Sequence, residues 1–368
     1  MALTARALPA VGHIVSRRLP GPDVVRAVAL IGVVVMNFHG YLVLDDRNRE
    51  GVGSGWAAEL FNPWTGPLST RFAATFVLVA GVGVTLLTRS AVGDDERVVA
   101  MRWRLVRRGV LLYVVGLVLD TIWSGTIIPY YGAMFVVAAL IFTLRSRWII
   151  AIGFTAALAG WGLRGWEFNR EDRGHDVRWL TAPGQGSIRR YVFDVAINGT
   201  HPLLPWLAFL CAGIVLGRCL TIAWWRPVTI GAGVALFTIA TIVGSAGTTP
   251  FQLVFLSTDP FDRGGVYVCS ALGTALIAYA CIDWLAERFP GPLDPLRRAG
   301  QMTLTLYLAH VLVFNLVVRR LGWIEPTGLD VSLVFALAFW VVAIAAAAAW
   351  QRRFGIGPAE RVYRAFGG

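Results

Sequence analysis

The chain has 368 residues, 56% of them hydrophobic and only 15% charged, with a formal net charge of +11. Ordinary soluble domains carry about 25% charged residues, and a soluble fold of this length has nowhere to hide so much apolar surface. Unbroken apolar stretches such as Val331 to Trp350 also exclude a membrane β-barrel, whose spans are short and alternating. What remains is an all-α integral membrane bundle, in which each helix pairs its own backbone groups.

Ten segments suit crossing, at roughly 24–44, 68–88, 106–123, 127–144, 148–165, 202–220, 227–245, 265–284, 300–318 and 331–350. Each has about the length a bilayer needs at ~1.5 Å per residue, and together they make one transmembrane domain over 1–368. The first begins near Val24 and continues too far for a signal-peptide core. It opens with Asp23 and Arg26 and carries Asn37 and His39. At about 100° per residue, Arg26 and Asn37 come within about 20° of each other, and Asp23 lies about 60° from Arg26. Such a polar stripe is costly unless it faces the bundle interior. His39 points about 160° away from Asn37, so it joins the same site only if the helix breaks near its far end, where Gly40 offers a weak point.

The connections test the count. The N-terminal tail holds Arg6, Arg17 and Arg18; the connection after the second segment holds Arg89, Arg97, Arg102, Arg104, Arg107 and Arg108. Arg145 and Arg147 follow the fourth segment, and Arg352, Arg353, Arg361 and Arg364 follow the tenth. In a ten-span arrangement all of these fall on one side. The other side is poorer: Arg47 and Arg49 stand against Asp45, Asp46, Glu50 and Glu59, and the turn after the third segment is uncharged. The positive-inside rule then places both termini in the cytoplasm. The basic excess points to membrane lipid as a partner, not to nucleic acid. Every strong base is arginine, with no lysine in the chain.

Two connections on the poorer side are long, about 45–67 and 164–201, and loops gathered on one face of a scaffold commonly build a site there. A solvated cap is an equal reading. Trp56, Trp64, Trp166, Trp206 and Trp225 fit an aromatic belt at the interfaces. No internal repeat is evident, which argues against a transporter built from inverted repeats.

Five polar positions remain. Asp120 ends the third segment and suits an ion pair with Arg71. His201 precedes Pro202 and reads as an interfacial loop residue; His13 and His175, in tails or loops, carry little signal. His310 sits at mid-membrane one turn after Tyr307. Imidazole is the common general base near neutral pH, although a neutral histidine bonded between helices is the plainer role, since bundles use polar residues as glue. Cys211, Cys219, Cys269 and Cys281 show no paired spacing and read as small core residues. No metal-ligand pattern is expected.

Several stretches, taken together, resemble the heparan-α-glucosaminide N-acetyltransferase-like and YeiB-like membrane families. Asp23-Val-Val-Arg26 through Met36-Asn37-Phe38 is similar to their opening helix, with Arg and Asn eleven residues apart. Ser69-Thr70-Arg71-Phe72 through Gly81-Val82-Gly83 looks like the second helix. Ile128-Pro129-Tyr130-Tyr131-Gly132 looks like the fourth. His201-Pro202-Leu203-Leu204-Pro205-Trp206 with Gly213 and Gly217-Arg218 resembles a later segment, and Gly300 to His310, with Thr303, Thr305 and Tyr307, a late helix.

The resemblance implies a bundle that carries an acetyl or similar acyl group from cytosolic acetyl-CoA, or another acyl-CoA, to an extracytoplasmic sugar, glycolipid or amine in the cell envelope. Asp23, Arg26, Asn37, Arg71, Asp120, Tyr130, Trp206 and Tyr307 are then expected to contact substrate. Arg104, Arg107, Arg108 and Arg145 would meet the coenzyme phosphates at the cytoplasmic mouth, though topology alone also explains them. One departure stands out. The eukaryotic enzyme of the family has its catalytic histidine three residues before a Trp-x-Gly; here Trp64-Thr65-Gly66 is present and that position is Phe61. The related acyltransferase-three family has a histidine where this chain has Asn37. His39 and then His310 are the expected bases, singly or as a pair. A transporter or lipid-handling protein without covalent chemistry is the alternative, a scaffold the third, and a homodimer is compatible with each.

Overall fold

The computed structural model describes residues 19–46, 53–182, 187–325 and 328–368. Arg6, His13, Arg17, Arg18, Arg47, Arg49 and Glu50 lie outside the described residues. Within them the chain is helical, without strands. In order the helices are α1 (Pro20–Asp45), α2 (Trp56–Leu60), α3 (Arg71–Thr88), α4 (Asp95–Asp120), α5 (Ile128–Ile141) and α6 (Ser146–Asp172). Then come α7 (Arg178–Thr181), α8 (Ile188–Phe193), α9 (Leu203–Cys219), α10 (Trp225–Gly244), α11 (Pro250–Phe255) and α12 (Gly265–Arg288). The last four are α13 (Asp294–Gly300), α14 (Thr303–Phe314), α15 (Leu329–Phe354) and α16 (Pro358–Gly367). Asp194–Asn198 and Asn315–Arg320 are π-helical.

Each of the ten apolar segments falls on one of these helices. Seven are long and apolar enough to cross a membrane by themselves, and the pair Arg189–Asn198 and Leu203–Cys219, bent by 54°, adds one more if it forms a single span. The α5 helix, with 14 residues, is shorter than a span. The α4 helix begins at Asp95 rather than near residue 106, because Asp94 caps it by accepting from the Arg97 amide.

The α1 helix is the axis of the bundle, packed against α3, α12, α13, α14 and α15. Val25, Leu30, Val34, Phe38 and Leu42 are completely buried, so even lipid is excluded from this stripe. Around it the helices pair through glycine. Cβ atoms at Gly109 and Gly132 would lie 2.6 and 2.5 Å from each other's carbonyl oxygen on α4 and α5, and Gly233 and Gly273 face one another in the same way across α10 and α12. Gly81 on α3 and Gly213 on α9 meet backbone directly. Small residues let membrane helices approach closely enough for dispersion to hold them.

Polar side chains close the ends. Arg218 donates to the carbonyls of Phe142 (2.7 Å) and Leu144 (2.8 Å), satisfying the bare carboxyl end of α5. Arg319, in the second π-helical turn, holds Asp45 at 2.8 Å and ties the end of α14 to the end of α1. Glu360 of α16 accepts from the Leu304 and Thr305 amides at 2.7 and 3.1 Å, so the C-terminal helix supplies the cap of α14.

Candidate functional site

Two cavities are stacked along α1. The one at its Asp45 end has a volume of about 210 Å³ and is lined by Asn37, Tyr41, Trp64, Thr70, His201 and Tyr307 among others. The one at its Pro20 end is about 290 Å³, with Arg26, Arg108, Tyr131, Tyr363 and Arg364 in its wall. Tyr307 lines both. Arg26 and Asn37, eleven residues apart, are displaced by roughly 16 Å along the helix, which is how one face of α1 serves two chambers.

At the Asp45 end, the Asn37 amide donates from Nδ2 to Nε2 of His310 at 3.2 Å. Asn has a second Nδ2–H, free for another acceptor. His310 is fully buried and lies behind Asn37, with the edges of Tyr307 (4.7 Å between ring centres) and Trp123 (5.6 Å) against it. The Tyr307 hydroxyl shares a hydrogen bond with Thr126 Oγ1 at 3.0 Å and accepts from the Ile127 amide at 3.3 Å. Tyr41 donates its hydroxyl to the Ser124 carbonyl and stacks on Trp123.

His201 is the imidazole that reaches this cavity. It occupies the elbow between the first π-helical turn and α9, wedged between the rings of Trp206 (4.5 Å) and Tyr130 (5.9 Å). The Tyr130 hydroxyl accepts from the Thr200 amide at 3.1 Å, and Thr200 donates to the Gly125 carbonyl at 3.2 Å. Two loops and α5 therefore converge on one ring. His201 is a loop residue, as its place before Pro202 suggests, and the bend before α9 brings its ring into the wall of the cavity.

His39 behaves differently. The α1 helix continues unbroken to Asp45, so the condition for His39 to join the Asn37 face, a break near Gly40, is not met. Its ring, fully buried, turns away from the cavity and its Nδ1 lies 2.8 Å from the Phe61 carbonyl. Gly40 allows this: a Cβ there would stand 3.3 Å from Pro63. Neither His39 nor His310 lines either cavity; His310 touches the cavity wall through Asn37.

At the Pro20 end, Arg26 pairs with Asp23 at 3.0 Å, and Asp23 also accepts from Gln301 at 3.1 Å. The Tyr131 hydroxyl is buried in the wall of this cavity with no hydrogen-bond partner among the described residues, a group that suits a polar atom on a ligand. Of the four arginines expected to hold a coenzyme, only Arg108 lines the cavity; its guanidinium covers the Tyr363 ring at 4.9 Å. Arg107 instead donates to the Gly367 carbonyl at 3.2 Å. Arg104 lies one turn before Arg108 and outside the cavity wall, and Arg145 is exposed at the α5–α6 turn, away from it. Gln301, Tyr363 and Arg364 were not expected here; for Tyr363 and Arg364 the signal was the amphipathic spacing of α16, and nothing local marks Gln301.

Arg71 and Asp120 do not pair. Arg71 turns toward α12 and donates to Ser270 Oγ at 2.8 Å, whereas Asp120 accepts from the Gly125 amide at 2.9 Å in the turn after α4. The two begin and end helices at the same end of the bundle but face different neighbours. All four cysteines are free thiols.

Residues 18–249 match the family model described as heparan-alpha-glucosaminide N-acetyltransferase, catalytic. Residues 216–367 match a second model, described only as a protein of unknown function, DUF418. The first match includes Arg26, Asn37 and His201; the second includes Tyr307, His310 and Glu360. No curated protein matches the chain.

Proposed function

This chain belongs to the heparan-alpha-glucosaminide N-acetyltransferase catalytic family, and from that premise we propose that it moves an acyl group from coenzyme A, on one side of the membrane, to an acceptor hydroxyl or amine on the other. The observation that carries this reading is the pair of cavities meeting at Tyr307. One is cationic and lies beside the Arg-rich end of the bundle. The other holds an imidazole and an amide donor.

The donor side is the Pro20 end. Pockets that enclose a drug-sized molecule run to about 300–1,000 Å³, so a cavity of about 290 Å³ holds the acyl-pantetheine arm and leaves the nucleotide outside. Arg108 and Arg364 are offered to the phosphates at this mouth, and Tyr131 has a hydroxyl free for an amide of the pantetheine arm. Ten spans with both termini in the cytoplasm of a cell-membrane protein put this mouth in contact with cytosolic acyl-CoA.

The acceptor side is the Asp45 end. An acceptor N–H or O–H is deprotonated by His201 as it attacks the thioester carbon. The free Nδ2–H of Asn37, held in place by His310, meets the oxyanion. Collapse expels the coenzyme A thiolate toward the Pro20 end and leaves the ester or amide at the Asp45 end. A sugar, glycolipid or small amine fits the chemistry equally. Purified protein incubated with labelled acetyl-CoA and a glucosamine or simple amine acceptor should transfer label, and His201→Ala should not. Acceptor binding without any turnover would favour the transport reading.

A further inference from the structure

A third cavity, of about 610 Å³, lies at the same end of the bundle as the acceptor chamber, between the start of α3, the first turns of α12 and the connection before α12. Its wall carries Ser69, Arg71, Ser257, Thr258, Ser270 and Thr274, and Thr70, hydrogen-bonded to Tyr267 at 2.6 Å, belongs to the wall of the acceptor chamber. Arg71 points into it. Three other arginines of the helical layer have a carboxylate: Asp23 on Arg26, Glu167 on Arg164, Asp283 on Arg226, all within 3.0 Å; Arg218 and Arg263 are met by two backbone carbonyls each. Arg71 has the hydroxyl of Ser270 at 2.8 Å and the face of Tyr267 at 5.9 Å. Among the described residues no carboxylate lies within 4.0 Å of it. A half-buried cation on a membrane helix with only neutral partners is expensive, and an anion entering the cavity would remove that cost.

The remaining hydroxyls are arranged as donors. Ser270 accepts from Arg71 and Ser257 accepts from the Asp259 amide at 2.9 Å, so each has its own O–H left to give. Thr258 adds a third. Asp259, the one acid in the wall, has its carboxyl raised by burial and accepts from the Phe261 amide at 2.9 Å. The mouth is bordered by Phe237 and Thr241 of α10. On that same face of α10, about 60° apart, Val234 and Phe237 are 49% and 41% exposed, so the cavity opens beside an apolar surface suited to acyl chains.

We propose that this cavity is a binding site for the phosphate of a membrane phospholipid, with Arg71, Ser257 and Ser270 on the oxyanion and the acyl chains along the apolar face of α10. The site is independent of the acyl-transfer reading: a lipid is retained here whether or not the chain turns over acyl-CoA.

The test is a binding titration of full-length protein in neutral maltoside micelles, with short-chain phosphatidylglycerol as one probe and inorganic phosphate as the other. Wild type should bind about one lipid saturably. Arg71→Gln should weaken this about tenfold or more, the range for a lost charge-assisted hydrogen bond; Arg71→Lys should weaken it less. Thr241→Trp obstructs the mouth without touching Arg71 and should weaken lipid binding too, which keeps the test alive if Arg71→Gln fails to fold. Equal lipid binding by wild type, Arg71→Gln and Thr241→Trp overturns the site. Phosphate binding as tightly as the lipid, unaffected by Thr241→Trp, overturns the lipid as occupant.

Discussion

Nδ1 of His39 lies 2.8 Å from the carbonyl oxygen of Phe61. Phe61 stands three residues before Trp64, where the family resemblance places a loop histidine. The imidazole here comes from α1 instead, and the loop contributes only its backbone. Pro63 and Trp64, next along the loop, line the acceptor cavity. His39 therefore ties the loop that carries Pro63 and Trp64 to α1, without lining the cavity itself.

His201→Ala should lower kcat/KM for transfer by about 10²–10⁴-fold, the usual contribution of a positioned general base. His39→Ala should act mainly on KM for the acceptor, because it loosens a wall. Steady-state kinetics on both variants separates the roles; full activity in His201→Ala would remove it from the mechanism.

Asn37→Ala should lower kcat by about 10²–10³-fold with little change in KM, as expected when a donor to a developing oxyanion is lost. His310→Ala acts through Asn37, so the double variant should be scarcely worse than Asn37→Ala alone. A double-mutant cycle measures this coupling; additive losses would mean that His310 works independently.

Glu360→Ala removes the cap that two backbone amides and the Thr305 hydroxyl share. A lost helix cap costs about 0.5–2 kcal/mol. The melting temperature should fall by a few degrees, and hydrogen exchange should rise at Leu304, Thr305 and through α16. Unchanged exchange at α16 would show that the tail is held by other contacts.

The proposed orientation predicts which face each connection presents. In a cysteine-free background, Trp179→Cys and Arg353→Cys, both at exposed positions, should react with an impermeant maleimide from opposite sides of sealed vesicles. Labelling of both from one side would overturn the ten-span arrangement.

Much of the bundle was legible because lipid imposes length and apolarity on each helix separately. Every apolar segment became a helix, and helical spacing put Arg26 and Asn37 on one face of α1, where each now lines a chamber. What depends on several elements at once was not legible. His201 gains its place from the bend before α9, from Tyr130 on α5 and from Thr200 bridging to Gly125. Glu360 lies 55 residues from Thr305 in sequence, and no local pattern announces that it caps another helix. The Arg71–Asp120 pairing failed for the same reason: both residues were assigned the correct end, but helix rotation about its own axis is fixed by neighbours that spacing does not name.

The hydroxyl of Tyr307, with Thr126 and the Ile127 amide, is the partition where the two chambers come closest. Were it removed, water could thread the protein from face to face, and protons or small ions would follow. Under the proposed acyl transfer, the protein has to keep the membrane electrically tight while a neutral acyl group goes through. Tyr307 is thus also part of the seal, and a variant such as Tyr307→Gly would be expected to discharge an imposed ion gradient across a proteoliposome.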